Sequence, residues 1–553
     1  MNSKIKKNNK KHKYIFVVGG VMSGVGKGIA TASLGNILSS MGHGINLVKV
    51  DPYLNVDAGT MNPTEHGEVF VLNCGLETDQ DMGNYERFLN IDASKYSYMT
   101  SGMIYRDVIN KERNLGYGGK CVEAIPNIRD EIISRFKKSA KESGADISII
   151  EIGGTIGDYQ NIMFFEAARV LKVLEPDNVI FIMVSYLPIP GTLGEMKTRP
   201  TQNAVRQLNS YGIQADFIIA RSHIALDQKR KEKLAVTCNL PANHIISAPD
   251  ISSVYDVPIN FDKDHIGEIV AQSLKLNKKK TNLIKWKNFV KSRQLANKVV
   301  KIAVVGKYFD TGDFVLSDSY VSVIEAIKYS CFKMGLSPQL TWINSKTYDN
   351  DLTKVKELKQ YQGIIVPGGF GESGIEGKIA VIKFAREHKI PYLGLCYGMQ
   401  LLVIEYARNV VGILDAHTAE ISKTSKNLVI DIMPDQKKKL LEKKYGASMR
   451  LGTYPAIIRK NTIAFDAYKK TEITERHRHR YEVNPDYVVK LEEAGLIFSA
   501  TSPDGNLMEI AELPKEKHPF MLGTQFHPEF KARPLDPHPL FDAFIKTIKE
   551  KND

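Results

Sequence analysis

The run Pro391-Tyr392-Leu393-Gly394-Leu395-Cys396-Tyr397-Gly398-Met399-Gln400 constrains this chain more than any other. Its apolar part reads as a buried strand, and a helical pattern follows from Met399 to Ala407. Cys396 lies between them, flanked by Gly394 and Gly398. Passing from strand to helix within so few residues needs a sharp turn that glycine neighbours accommodate. Such a turn presents the thiol at the N-terminus of a helix, where the dipole favours thiolate and can stabilise an oxyanion. Gln525-Phe526-His527-Pro528-Glu529 supplies an imidazole base and a carboxylate to orient it. Cys396, His527 and Glu529 are therefore the expected nucleophile, base and orienter of a thiol acyl-transfer site.

A second strand-turn-helix unit lies near the N-terminus. Tyr14–Val18 reads as a strand, 19–28 is glycine-rich, and Ile29–Met41 reads as a helix. Backbone N–H groups of such a turn wrap a phosphate, and Lys27 neutralises it. The match to a phosphate-loop motif is imperfect. Five residues separate Gly20 from Gly26, and Gly28 stands where a magnesium-binding hydroxyl is usual. Magnesium must then find acids elsewhere. Candidates are Glu151, which ends the strand-like run from Ile147, and Asp79 and Asp81.

Apolar β-like runs recur with helical patterns between them: Tyr14–Val18, Ile45–Val50, Ile147–Ile152, Val179–Val184, Phe217–Ala220 and His244–Ala248. After residue 299 the rhythm resumes at Val300–Gly306, Leu340–Ile343, Gly363–Val366 and Tyr392–Cys396. The expected fold class is α/β, with two doubly wound parallel-sheet domains. The expected divisions are a basic tail (1–13), a first domain (14–270), a basic linker (271–299) and a second domain (300–553). Ligands of such sheets bind beyond the carboxyl ends of the strands, where the phosphate loop, Glu151 and Cys396 all fall.

The net charge of +13 is uneven. Residues 1–13 hold six lysines, and 275–293 hold seven lysines and one arginine, with no acid in either stretch. The rest of the chain balances at 61 basic against 62 acidic residues. This pattern speaks against a nucleic-acid-binding face, which needs clustered cations interleaved with aromatics. No apolar run approaches the roughly 18 residues of a membrane span. Five cysteines without a C-x-x-C pair point to a reducing cytoplasm rather than a disulfide scaffold.

Together these residues resemble the CTP synthase family of glutamine-dependent ligases. The resemblance runs from about Tyr14 to Ile548 and includes Lys49-Val50-Asp51-Pro52-Tyr53-Leu54-Asn55-Val56-Asp57, His66-Gly67-Glu68-Val69-Phe70, Lys197-Thr198-Arg199-Pro200-Thr201-Gln202 and Arg476-His477-Arg478-His479-Arg480. It implies that ATP meets Gly24, Val25, Gly26, Lys27, Gly28 and Ile29, with Asp81, Asp250 and Ile251. Magnesium would be held by Asp81 and Glu151, with no organic cofactor. UTP, or CTP as inhibitor, would meet Ser23, Asp158, Tyr159, Gln160, Lys197, Thr198, Arg199, Pro200, Thr201, Gln202 and Lys233. Glutamine would meet Gly369, Tyr397, Gly398, Met399, Gln400, Glu420 and Arg480, with the N–H groups of Gly369 and Tyr397 as oxyanion donors. The family further implies GTP activation, a homotetramer, filaments in some members and ammonia passing between domains.

Three departures fall in segments tied to the pyrimidine nucleotide. They are Tyr159-Gln160 after Asp158, the run Tyr117–Glu123, and Arg199 where lysine is usual. The alternatives are another glutamine-dependent ligase and a regulatory or polymer-forming ATPase that kept the fold without the activity. The Asp51-Pro52-Tyr53 segment argues against the first. Intact Cys396, His527, Glu529 and Lys27 argue against the second.

Overall fold

The computed structural model describes residues 11–62, 66–191, 194–277, 279–306, 317–369, 371, 374–422, 424–432 and 449–552. Residues 1–10 of the lysine-rich tail, Lys278 and Phe370 lie outside the described residues. The chain forms two compact units, one of residues 1–58 and 81–290, the other of residues 59–80 and 291–553.

The first unit is built on a seven-stranded sheet in the order Tyr98–Thr100, Ile45–Asp51, Ile147–Ile152, Lys13–Gly19, Val179–Tyr186, Phe217–Ser222, Ile245–Pro249. Every pairing is parallel. Its central strands are buried on both faces because helices cover both, which explains their unbroken apolar runs. Phe16 stacks on Phe181 at 5.4 Å and meets Phe136 edge-on at 5.5 Å. The edge strand Tyr98–Thr100 has three residues, too few to leave a readable pattern.

The basic stretch after Leu274 is more ordered than its composition suggests. Ile284–Leu295 is a helix, and its Trp286, Phe289 and Val290 are buried. Trp286 Nε1 donates to Tyr255 O at 2.8 Å, and its ring lies 5.0 Å from Phe88. The lysines occupy the remaining faces.

The second unit carries a nine-stranded sheet in the order Leu336–Asn344, Lys298–Gly306, Gly363–Val366, Tyr392–Leu395, Met521–Thr524, Met508–Glu512, Ile497–Thr501, Arg450–Ile458, Glu472–His479. The first five strands are parallel; the four expected from sequence are among them, and Met521–Thr524 is the fifth. The other four pair antiparallel, so this sheet is mixed rather than purely parallel. Local connectivity decides it: residues 502–507 join two adjacent strands and are too few for a parallel crossover.

Residues 59–80 lie inside the range read as the first domain, yet they belong to the compact second unit. Phe70 packs against Phe530 with ring centres 5.1 Å apart. Asn73 Oδ1 accepts from Arg476 Nε at 2.6 Å, and Glu77 Oε1 accepts from Arg478 Nε at 2.7 Å. The Glu68 carboxylate accepts from Ser322 N, in the first turn of the helix Val321–Lys333, where helix geometry favours an anion.

Candidate active sites

In the second unit the strand Tyr392–Leu395 ends at Cys396, and a helix begins at Tyr397. Cys396 has φ 51° and ψ −98°, a conformation that L-residues rarely adopt and that marks a strained elbow. The glycine requirement is steric. A Cβ on Gly398 would stand 2.2 Å from Val366 O, and one on Gly394 would stand 2.7 Å from the Gly398 backbone. Met399 and Gln400 donate their backbone N–H to Cys396 O, closing the first turn directly under the thiol.

Its expected partners, His527 and Glu529, follow the end of the neighbouring strand Met521–Thr524. His527 N donates to Arg476 O at 2.8 Å, and His527 Nδ1 pairs with Glu529 Oε1 at 2.7 Å. That bond leaves Nε2 for chemistry, and Nε2 has no hydrogen-bond partner among the described residues. Gly368 sits between imidazole and cysteine: a Cβ there would lie 3.0 Å from His527 Cε1 and 3.8 Å from Cys396 Cβ. Burial opposes a charge on His527, but the Glu529 carboxylate and the Cys396 sulfur outweigh it and push its pKa up to about 10. A cavity of about 70 Å³ opens between Cys396, His527, Gly368, Gly369 and Tyr320. Among the other expected glutamine contacts, Glu420 Oε1 accepts from Gly371 N at 2.7 Å, while Met399 and Gln400 are buried beneath the elbow.

The same unit holds a buried polar ring of which the sequence motif contains only His477 and His479. Arg450 reaches Glu509 at 2.8 Å and Glu482 at 3.4 Å. His477 Nδ1 pairs with His479 Nε2 at 3.0 Å, and the two imidazoles face Glu509 and Glu482 at 3.6 and 3.5 Å. Burial holds both imidazoles well below their usual pKa, so each stays neutral. The signal was present as alternation along the strand Glu472–His479.

In the first unit Gly24 and Gly26 have φ of 69° and 81°, the left-handed conformation of a phosphate cradle. Val25 is buried between them, Ser23 is exposed, and Ile29 lies in the helix Lys27–Ser40. Lys27 is buried and donates to Gly154 O at 2.7 Å. Burial lowers its pKa, while Glu151 opposes that shift. Around it stand Lys49, Asp51, Asp81 and Glu151. Lys49 Nζ lies 3.0 Å from Glu151 and 3.8 Å from Asp51, and it also pairs with Asp81. Burial raises the pKa of Asp51 and Glu151 even beside Lys49, whereas Lys49 and Lys27 overcome burial and lower that of Asp81.

These carboxylates share too little positive charge, and their oxygen donors suit magnesium. No cluster of three or more potential ligands occurs among the described residues, so an ion held by Asp81 and Glu151 would need phosphate oxygens as well. The missing loop hydroxyl has a steric cause. A Cβ on Gly28 would stand 2.2 Å from Asp81 Oδ1, so the carboxylate fills the space a serine would use. Lys49 was not singled out from the sequence; the available signal was a lysine in an apolar strand, and the register sets it beside Glu151.

The residues expected to meet the pyrimidine nucleotide follow neighbouring strand ends. Asp158 Oδ2 accepts from Thr155 N at 2.7 Å, close to the Gly154 carbonyl that holds Lys27. Tyr159 and Gln160 are exposed. Thr198 is buried, Gln202 donates to it at 3.1 Å, and Thr201 pairs with Ser185 at 2.9 Å. Arg199 is exposed and Pro200 is half-buried at the start of the helix Arg199–Ser210. Lys197 pairs with Glu195 at 2.6 Å, and Lys233 lies within electrostatic reach of the same carboxylate. Asp250 is held by Arg221 at 3.0 Å and His223 at 3.1 Å, with Ile251 half-buried beside it. Glu123 is exposed, and its N–H donates to Asn127 Oδ1.

A CTP synthase of Caldanaerobacter subterraneus subsp. tengcongensis is 46% identical over 537 residues, covering 97% of this chain and 98% of that protein. The chain belongs to the CTP synthase family. A CTP synthase of Methanococcus maripaludis is 45% identical over 545 residues, 98% of this chain and all of that protein. The CTP synthase N-terminus family matches residues 13–276, and the class-I glutamine amidotransferase family matches 315–547. Among solved structures, the glutaminase domain of Trypanosoma brucei CTPS with bound acivicin is 37% identical. It covers 45% of this chain and 94% of that one, with a TM-score of 0.42. The chain is thus a glutamine-dependent ligase of pyrimidine biosynthesis, with synthetase and amidotransferase regions. Among the described residues no helix is long and apolar enough to cross a membrane.

Proposed function

We propose that the two units divide one reaction, in which UTP, ATP, glutamine and water give CTP, ADP, phosphate and glutamate. The observation that supports this most is the convergence of Cys396, His527 and Glu529 on one cavity, in a chain whose other unit gathers Lys27, Lys49, Asp81 and Glu151 around a phosphate loop.

In the amidotransferase unit Cys396 attacks the glutamine amide carbon. The sulfur's proton rests on His527 Nε2, and Glu529 holds the imidazolium in place. The oxyanion is stabilised by the N–H groups of Gly369 and Tyr397, and Glu420 with Arg480 fixes the amino-acid end. His527 returns the proton to departing ammonia, and water then hydrolyses the thioester. In the synthetase unit UTP O4 takes the γ-phosphoryl group of ATP, and ammonia displaces phosphate at C4. Lys27 and the loop N–H groups hold the phosphates, so positioning and charge carry this transfer. Asp81 and Glu151 would hold magnesium, which when bound neutralises phosphate charge. Membership of the family supports inhibition by CTP, activation by GTP, homotetramer assembly and a cytoplasmic location. Five free cysteines fit the location.

The test follows CTP formation by absorbance with UTP, ATP, magnesium and either glutamine or ammonia. Cys396→Ala is expected to lower the glutamine reaction by several orders of magnitude while ammonia still supports synthesis. Equal loss of both would overturn the division.

A further inference from the structure

Gln525 follows the strand Met521–Thr524, has no exposed surface, and is used by none of the steps above. Its backbone N–H donates to Glu509 O at 2.8 Å, which anchors it. Its side-chain Nε2 lies 3.8 Å from Cys396 Sγ, with the sulfur as acceptor. Its Oε1 accepts from Gln400 Nε2 at 3.3 Å. The same Gln400 nitrogen donates to Tyr481 O at 2.9 Å. Tyr481 O is a backbone carbonyl and can only accept, so the Gln400 nitrogen must face it. That nitrogen then faces the Gln525 oxygen, and the Gln525 nitrogen is left facing the sulfur. A chain of fixed polarity therefore runs from Tyr481 O through two buried amides to the reacting atom.

A second group, of opposite character, also reaches the sulfur. Arg478 O lies 3.8 Å away and accepts from the thiol. Once the S–H proton moves to His527 Nε2, that carbonyl has no hydrogen to accept and faces an anion. The Gln525 N–H keeps its bond through the change and gains strength, because bonds to ionised acceptors exceed those to neutral ones. The donor therefore stabilises the thiolate more than the thiol.

We propose that Gln525 is a catalytic residue of the amidotransferase unit, binding Cys396 Sγ by an amide N–H that favours the thiolate, and that Gln400 is its positioning residue. This rests on Cys396 being the glutamine nucleophile, which Cys396→Ala tests separately.

The experiment uses the full-length enzyme and its Gln525→Met, Gln525→Glu and Gln400→Leu variants. Two quantities are read: the rate at which iodoacetamide alkylates the peptide containing Cys396 at pH 7.5, and kcat and KM for glutamine hydrolysis. Methionine keeps the length of glutamine without a donor. Glutamate keeps the shape, replaces the donor by an acceptor and adds charge beside the sulfur. Loss of a hydrogen bond to an ionised group corresponds to a roughly 10- to 100-fold effect. Alkylation and kcat are expected to fall by about that factor in Gln525→Met and further in Gln525→Glu, with KM nearly unchanged. Gln400→Leu should fall between Gln525→Met and wild type. A purely structural role would lower thermal stability and leave alkylation of the folded variants alone. Alkylation and kcat within twofold of wild type in either Gln525 variant would overturn the assignment. If Gln525→Met does not fold, the isosteric Gln525→Glu decides.

Discussion

Gly28→Ser would write the usual phosphate-loop hydroxyl into this chain, and the structure says it should inactivate the synthetase. The new Cβ would stand 2.2 Å from Asp81 Oδ1 and 2.7 Å from its carboxyl carbon, against the 3.4 Å at which ordinary contact begins. The clashing atoms are the far end of a side chain, which moves more easily than the helix backbone. Asp81 must therefore swing away from Lys49. Lys49 keeps Glu151 at 3.0 Å, and the Asp81 side chain is 24% exposed, so the loss of stability is modest, about 1–2 kcal/mol. The effect on phosphoryl transfer is larger, since misplacing a catalytic group by about 1 Å costs on the order of 10²-fold in rate. The assay is ammonia-supported CTP formation across a magnesium–ATP titration, with Gly28→Ala beside Gly28→Ser. Both variants carry the offending Cβ and should fall together. A serine enzyme within about threefold of wild type while the alanine enzyme fails would show that the hydroxyl serves as a ligand, and the steric reasoning would be refuted.

Lys27→Ala should remove CTP formation with either nitrogen source by about 10²-fold or more while slow glutaminase activity continues, because the lost cation belongs to the phosphate loop; glutamate and CTP measured separately check it. His527 is held above its unfolded value, so its stabilising contribution is complete below about pH 6.5 and disappears as pH rises through about 10. Glu529→Gln should consequently destabilise the amidotransferase unit more at pH 6 than at pH 9.5 in denaturant unfolding, and a pH-independent difference would contradict this. Reverting Gln160→Glu and Glu123→Gln together should tighten CTP inhibition by up to about tenfold, a small effect because both side chains are exposed; an unchanged inhibition constant would mean that neither residue reads the base.

Features that a local pattern can encode were legible in the sequence. The elbow was readable because Gly394 and Gly398 meet backbone atoms at distances no side chain tolerates, which leaves glycine as a visible trace. Parallel strands buried on both faces announced themselves by length and apolar content. Features set by distant neighbours were hidden. Gly28 was visible as a departure, but its reason, the Asp81 carboxylate, comes from another helix. The helix Ile284–Leu295 buries Trp286, Phe289 and Val290 at helical spacing, yet the lysines around them made the stretch read as a linker. Nothing within residues 59–80 says which unit they join, since Asn73 and Glu77 find their arginines only after folding. The antiparallel half of the second sheet escaped because its strands alternate with polar residues and lack the continuous apolar run that marked the others.

The backbone of Cys396 carries a consequence for how this lineage can drift. A conformation with φ 51° and ψ −98° costs a non-glycine residue on the order of 1–3 kcal/mol, and glycine would relieve most of it. Mutation towards glycine at this position thus releases backbone strain, and its functional cost falls on glutamine chemistry. A descendant that no longer needed ammonia from glutamine would have a physical incentive to lose the thiol. The cysteine persists against that gradient only while hydrolysis is under selection, which makes this single position a gauge of whether a homologous chain is still at work.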